Sequence, residues 1–143
     1  MSAAATQGRP PRAAVLALQS QLRAQGATAD PIDVVQAHIA AVRCGDPELM
    51  AADYTDAARI TRGGAVVIPR EYFALALKRL GSSVLVVHGL DRVPGPPNAT
   101  ATRISMRWEL RGDRADGTRG TDTFTVSGDR ITDQQVVLHT TDF

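Results

Sequence analysis

The chain is poor in several things, and each shortage excludes something. Of its 143 residues only Cys44 is cysteine, so no internal disulfide can form and a reducing cytoplasm is the expected compartment. At the end of an expected helix, that residue reads as a small hydrophobe rather than a nucleophile. Lysine is nearly missing: of sixteen basic residues all but Lys78 are arginine. The basic residues cluster nowhere beyond Arg9-Pro-Pro-Arg12 and the net charge is +1, so nucleic acid is not an expected partner. No apolar run approaches the ~20 residues of a membrane span. Ala13–Leu18 is too short for a secretory signal core, and Gln-Ser-Gln follows it. His88 and His139 lack metal-ligand spacing, so neither a metal nor a cofactor is expected.

What is present is the composition of an ordinary soluble domain, 43% hydrophobic and long enough for one core. Residues 1–10 read as a disordered leader. Val15, Leu18 and Leu22 then recur at helical spacing between Pro11 and Gln25, with Gly26 as a stop. Asp30 can cap a second helix that opens on Pro31 and ends at Gly45. Asp46 can cap a third, with Pro47 in its first turn, running to about Tyr54. A strand near 57–61, a Gly63-Gly64 turn, a short strand over 65–68 and a helix from Pro69 to Leu80 follow. From Val84 the chain is strand-like to its end, broken by Pro94-Gly-Pro-Pro97 and by turns at 112–117 and Gly128-Asp129. Helices followed by an antiparallel meander predict an α+β fold, a curved sheet wrapped over the helices.

Three polar residues fall where the periodicity calls for apolar ones. His38 lies on the stripe of Val35, Ile39 and Val42. Asp53 closes a short helix beside Leu49 and Ala52. Asp122 alternates with Phe124 and Val126, while Thr121, Thr123 and Thr125 take the other face. Buried polar groups are costly unless paired, so they mark either a satisfied core network or a pocket with chemistry. Tyr54 and Tyr72 are expected to reach that pocket, with Ile104, Met106, Trp108, Val136 and Leu138 as its apolar lining and Gln134 as a polar contact.

The segments VVQAHIAAVRCGD, ADYTDAARI and DTFTVSGDRI, in the order helix, Gly-Asp, helix, two short strands, helix and four long strands, resemble the nuclear transport factor 2-like superfamily. The likeness is strongest to its SnoaL-like and ketosteroid-isomerase-like members. It runs from about residue 31 to the end, which divides the chain into an N-terminal extension, 1–30, and a cone-shaped domain, 31–143. The resemblance implies a homodimer formed through the outer sheet face. It also implies that Asp122 stands where ketosteroid isomerases keep a protonated aspartic acid that donates to the substrate oxyanion. His38 stands where they have the tyrosine of the same oxyanion hole. The position of their general base is Arg62, whose guanidinium cannot take up a proton. Arg103-Ile104-Ser105 is similar to the Arg-x-Asp of limonene-epoxide hydrolases, but Ser105 lacks the carboxylate.

The expected function is therefore proton-transfer chemistry on a small hydrophobic molecule, isomerase- or cyclase-like, by a route other than that of the steroid isomerases. His38 would be the acid/base, Asp122 a hydrogen-bond donor or orienter, and Asp53 a second carboxyl standing in for the missing base. Asp122 and His38 are expected within reach of each other across the pocket mouth. The alternative is a non-catalytic binding protein using the same pocket.

Overall fold

The computed structural model describes residues 9–140 of the chain. Of the expected leader, residues 1–8 lie outside the described residues. Among the described residues there are four α-helices, α1 (Arg12–Gln25), α2 (Pro31–Cys44), α3 (Pro47–Ala52) and α4 (Pro69–Leu80), and one six-stranded sheet. Its strands are β1 (Tyr54–Arg62), β2 (Ala65–Val67), β3 (Val84–Val93), β4 (Thr102–Arg111), β5 (Arg119–Ser127) and β6 (Arg130–Leu138). Among the described residues no helix is long and apolar enough to cross a membrane.

The helix boundaries follow from local chemistry. Asp30 Oδ1 accepts from the Ile32 amide at 2.8 Å and Pro31 occupies the first turn, where its missing N–H costs nothing. Gly45 ends α2 at φ 77°, the left-handed conformation that returns its amide to the carbonyls of Ala41 and Val42. One residue later Asp46 caps α3 through the Glu48 and Leu49 amides. Helix α3 stops at Ala52, so Tyr54 does not end a helix as its sequence context predicts. It opens strand β1 instead.

The sheet order is β2-β1-β6-β5-β4-β3, with β1 and β6 parallel and every other pair antiparallel. The expected antiparallel meander holds over β3 to β6, and the parallel β1–β6 pairing corrects the sheet as a whole from antiparallel to mixed. The first strand inserts beside the last, a pairing between distant residues that leaves no local mark in the sequence. On β4 the alternation holds as read: Ile104, Met106, Trp108 and Leu110 face inward. On β6 the pairing with β5 slips between Thr125 and Val126, which brings Ile131 and Gln134, three residues apart, to the same buried face.

The core lies between that face and the helices. Phe124, Ile60, Ile104, Ile131, Val34 and Val35 are among its fully buried side chains, each contributing roughly 1.5–3 kcal/mol. Val15 and Leu22 of α1 belong to the same cluster, so the first helix closes the core on the side away from the sheet.

Gly120 on β5 is opposite Trp108 on β4. A Cβ at that position would come within 2.5 Å of Trp108 Cζ2 and 2.8 Å of the Val137 carbonyl oxygen. Glycine therefore lets the indole lie down across β5. Gly120→Ala is expected to lower unfolding stability by about 1–3 kcal/mol, the usual cost of overpacking. It should also shift the emission of Trp108, the sole tryptophan. Urea titration followed by fluorescence checks this; an unchanged midpoint and spectrum contradict it.

Candidate active site

The polar anomalies meet in one buried chain of contacts. It begins on α1, where Gln19 lies on the stripe of Val15 and Leu22 and is itself buried. Gln19 Nε2 donates to the Leu49 carbonyl at 2.8 Å and to Asp53 Oδ1 at 3.1 Å. Arg23, one turn on, reaches Asp53 Oδ1 at 3.5 Å while donating to the Ala52 carbonyl at 3.1 Å and the Asp129 carbonyl at 2.6 Å. A guanidinium at the C-terminal end of α3 also meets the negative end of the helix dipole. Asp53 is completely buried, and these donors meet its Oδ1.

Asp53 Oδ2 meets His38 Nδ1 at 3.3 Å. His38 Nε2 in turn meets the Tyr54 hydroxyl at 3.2 Å, and that hydroxyl donates to Gln134 Oε1. Gln134 Nε2 donates to Asp122 Oδ2 at 2.8 Å, and Trp108 Nε1 donates to Asp122 Oδ1 at 2.9 Å. Asp53, His38, Tyr54, Gln134, Asp122 and Trp108 are each less than a tenth exposed. Rings of Tyr54, Phe73 and Phe124 surround the imidazole, with centroids 5.2, 5.3 and 5.6 Å from its own.

Burial perturbs two of these groups. Desolvation pushes the Asp122 carboxyl up to about 6, in opposition to the Trp108 and Gln134 hydrogen bonds and the charges of His38 and Arg62. Desolvation, with the fields of Asp122 and Asp53 added, raises the Tyr54 phenol well above its ordinary value, so Tyr54 keeps its proton.

One wall of this chain borders a cavity of about 80 Å³. Its polar lining comes from His38, Asp122 and Gln134, and its apolar lining includes Met50, Phe73, Leu77, Met106, Trp108 and Phe124. Tyr72 stands at its edge and also borders a second, open groove of about 890 Å³. That groove takes Val136 and Leu138, together with Arg62, which extends from the end of β1.

Of the expected site residues, His38, Asp122, Gln134, Tyr72, Met106 and Trp108 lie on the small cavity. Tyr54 and Asp53 stand behind His38 and touch it without lining the cavity. Ile104 is packed in the core at zero exposure. Asp122 and His38 make no direct hydrogen bond; Tyr54 and Gln134 join them. Gln19 and Arg23 were not anticipated. The signal for Gln19 was the one that marked His38, a polar side chain on an apolar helical stripe. Among the described residues no group of three His, Cys, Asp or Glu side chains is placed to hold a metal ion.

No protein-family model matches this sequence, and no curated protein matches it. Solved structures do resemble the fold. A "putative ketosteroid isomerase" from Shewanella frigidimarina has a TM-score of 0.62 at 13% identity, covering 73% of this chain and 92% of that one. A protein of unknown function with a cystatin-like fold, from Methylobium petroleophilum, gives 0.60 at 11% identity, covering 89% and 79%. A nuclear transport factor 2-like protein of unknown function from Cytophaga hutchinsonii gives 0.53 at 12% identity, covering 74% and 87%. At such identities likeness establishes architecture and not chemistry. The chain has the nuclear transport factor 2-like, cystatin-like α+β fold.

Proposed function

We propose that the chain catalyses proton transfer on a small hydrophobic molecule whose reacting end enters the cavity between His38 and Asp122. The observation that carries this reading is the placement of a desolvated carboxyl, raised to about 6, on the wall of an apolar cavity that an imidazole also lines. A general base works best when its pKa lies near the operating pH, and an ordinary aspartate is too weak for that. Trp108 and Gln134 keep the carboxyl aimed, and Asp53 keeps the imidazole aimed.

The cavity size bears on the substrate. At about 80 Å³ it is well below the ~300 Å³ at which pockets begin to enclose a drug-sized ligand. A compact molecule fits that space. A second reading, a binding protein without turnover, draws on the fact that both Asp122 oxygens and both His38 nitrogens already have protein partners.

Exchange of α-protons in D2O, followed by proton NMR on small cyclic ketones and enones, separates the two readings. Wild type is expected to accelerate exchange. Asp122→Asn, which keeps the shape and loses the base, should slow it by about 100-fold or more. Because the base acts in its ionised form, the wild-type rate should rise with pH through about 6 and level off above it. Ketone binding by wild type with no exchange above background would favour the binding protein.

Conjugation of a Δ5-3-ketosteroid should not be catalysed. Arg62, at the position of the steroid isomerases' base, cannot accept a proton, and a steroid nucleus exceeds the cavity in which Asp122 could act instead. Turnover in the standard absorbance assay would contradict both arguments.

A further inference from the structure

We propose that the chain His38–Tyr54–Gln134–Asp122 is an internal proton relay with two hydrogen-bond registers, moving one proton between the imidazole and the carboxyl without solvent. The argument is a count of donors and acceptors, and it starts from the two ends, which are fixed. Trp108 Nε1 can only donate, so Asp122 must always present it an oxygen. At the other end Gln19 Nε2 and Arg23 donate to Asp53 Oδ1, and the relay takes Asp53 as the acceptor at Oδ2, with the hydrogen of that contact on His38 Nδ1.

Between the ends, two arrangements satisfy every atom. In the first, His38 carries hydrogens on both ring nitrogens. Nε2–H donates to the Tyr54 oxygen, Tyr54 O–H to Gln134 Oε1, and Gln134 N–H to an ionised Asp122. In the second, Asp122 holds the proton and donates it to Gln134 Oε1 after a half-turn of the amide. Gln134 N–H then donates to Tyr54, and Tyr54 O–H to a bare His38 Nε2. In passing from the first to the second, the Nε2 hydrogen moves to the Tyr54 oxygen, the Tyr54 hydrogen to Gln134 Oε1 and one Gln134 N–H hydrogen to Asp122 Oδ2. The imidic acid left on Gln134 returns its Oε1 hydrogen to nitrogen as the group makes its half-turn. One proton has left Nε2 and one has appeared on Asp122, with net charge unchanged. Removing that proton altogether sets two acceptors face to face somewhere along the chain, which a buried network does not tolerate. The raised Tyr54 phenol fits both registers, since Tyr54 donates in each.

The relay gives the proposed chemistry a way to reset. A substrate that yields a proton to the Asp122 carboxylate at one carbon and takes one from His38 at another position leaves the site in the second register. Return to the first needs no exchange with water. The charged neighbours that bias the balance are Arg23 at the Asp53 end and Arg62, on β1, at the Asp122 end.

The test uses the whole chain without substrate, so its failure and the failure of the proton-transfer reading are distinguishable. Nitrogen NMR of ¹⁵N-histidine protein at neutral pH reports how many hydrogens the His38 ring carries. Wild type, which has Gln134 Oε1 toward Tyr54, should show both nitrogens protonated. Asp122→Asn must turn its oxygen to Trp108 and its NH2 to Gln134, which forces the second register and leaves only Nδ1–H. A Tyr54→Phe background should abolish that difference. Where Tyr54→Phe does not fold, Gln134→Met cuts the same link. Identical His38 protonation in wild type and Asp122→Asn would overturn the relay. So would a difference that persists in full after the link is cut, because a through-space charge effect needs neither Tyr54 nor Gln134.

Discussion

The contact between Asp53 and His38 anchors one end of the buried hydrogen-bond chain. Asp53 has zero exposure, meets Gln19 and Arg23 through Oδ1, and holds the near nitrogen of the imidazole through Oδ2, so the far nitrogen faces the phenol. From there the chain can run in either of two registers, until it ends on an indole N–H that can only donate. A buried charge that lost its donors would cost several kcal/mol, which is why helix α1 belongs to the site as much as to the core. A polar chain across an apolar core is not in itself stabilising. Its return is geometry: one imidazole and one carboxyl fixed on the same cavity wall.

Strand β5 shows how closely packing and chemistry are tied. Gly120 makes room for the indole, the indole donates to Asp122, and Phe124, two residues further along, packs against the His38 ring. The same alternation that buries Phe124 and Val126 carries Asp122 into the core, where loss of water raises its pKa. The sheet places the carboxyl, the helix places the imidazole, and neither moves without disturbing the core between them.

Much of this was legible in the residues, and the parts that were not share a cause. Asp30-Pro31, Asp46-Pro47, Gly45 and Pro69 are local signals, and helices α2 and α4 begin and end where those residues require. The alternation on β4 likewise separates inward from outward residues without outside help. Tyr54 was misplaced because nothing near it signals a strand; its extended backbone comes from pairing with Ile131, 77 positions away. The parallel β1–β6 contact and the slip that brings Ile131 to the face of Gln134 are long-range in the same sense. His38, Asp53 and Asp122 could be singled out as polar residues on apolar faces. Tyr54 and Gln134 were legible as pocket residues, but not their place as the two links between His38 and Asp122, which depends on long-range pairing. Gln19 carried the same signal and was passed over because its helix lies outside the region of family resemblance.

The account rests on Asp122 being a desolvated carboxyl whose hydrogen bonds aim it without restoring the solvation it has lost. Carbon NMR of selectively labelled aspartate, with the Asp122 resonance identified by its absence in Asp122→Asn, reads that carboxyl directly across pH. A titration midpoint near 6 is the predicted result. A midpoint near the ordinary aspartate value of about 4 would mean that the carboxyl is as well solvated as one in water, and the account would be contradicted.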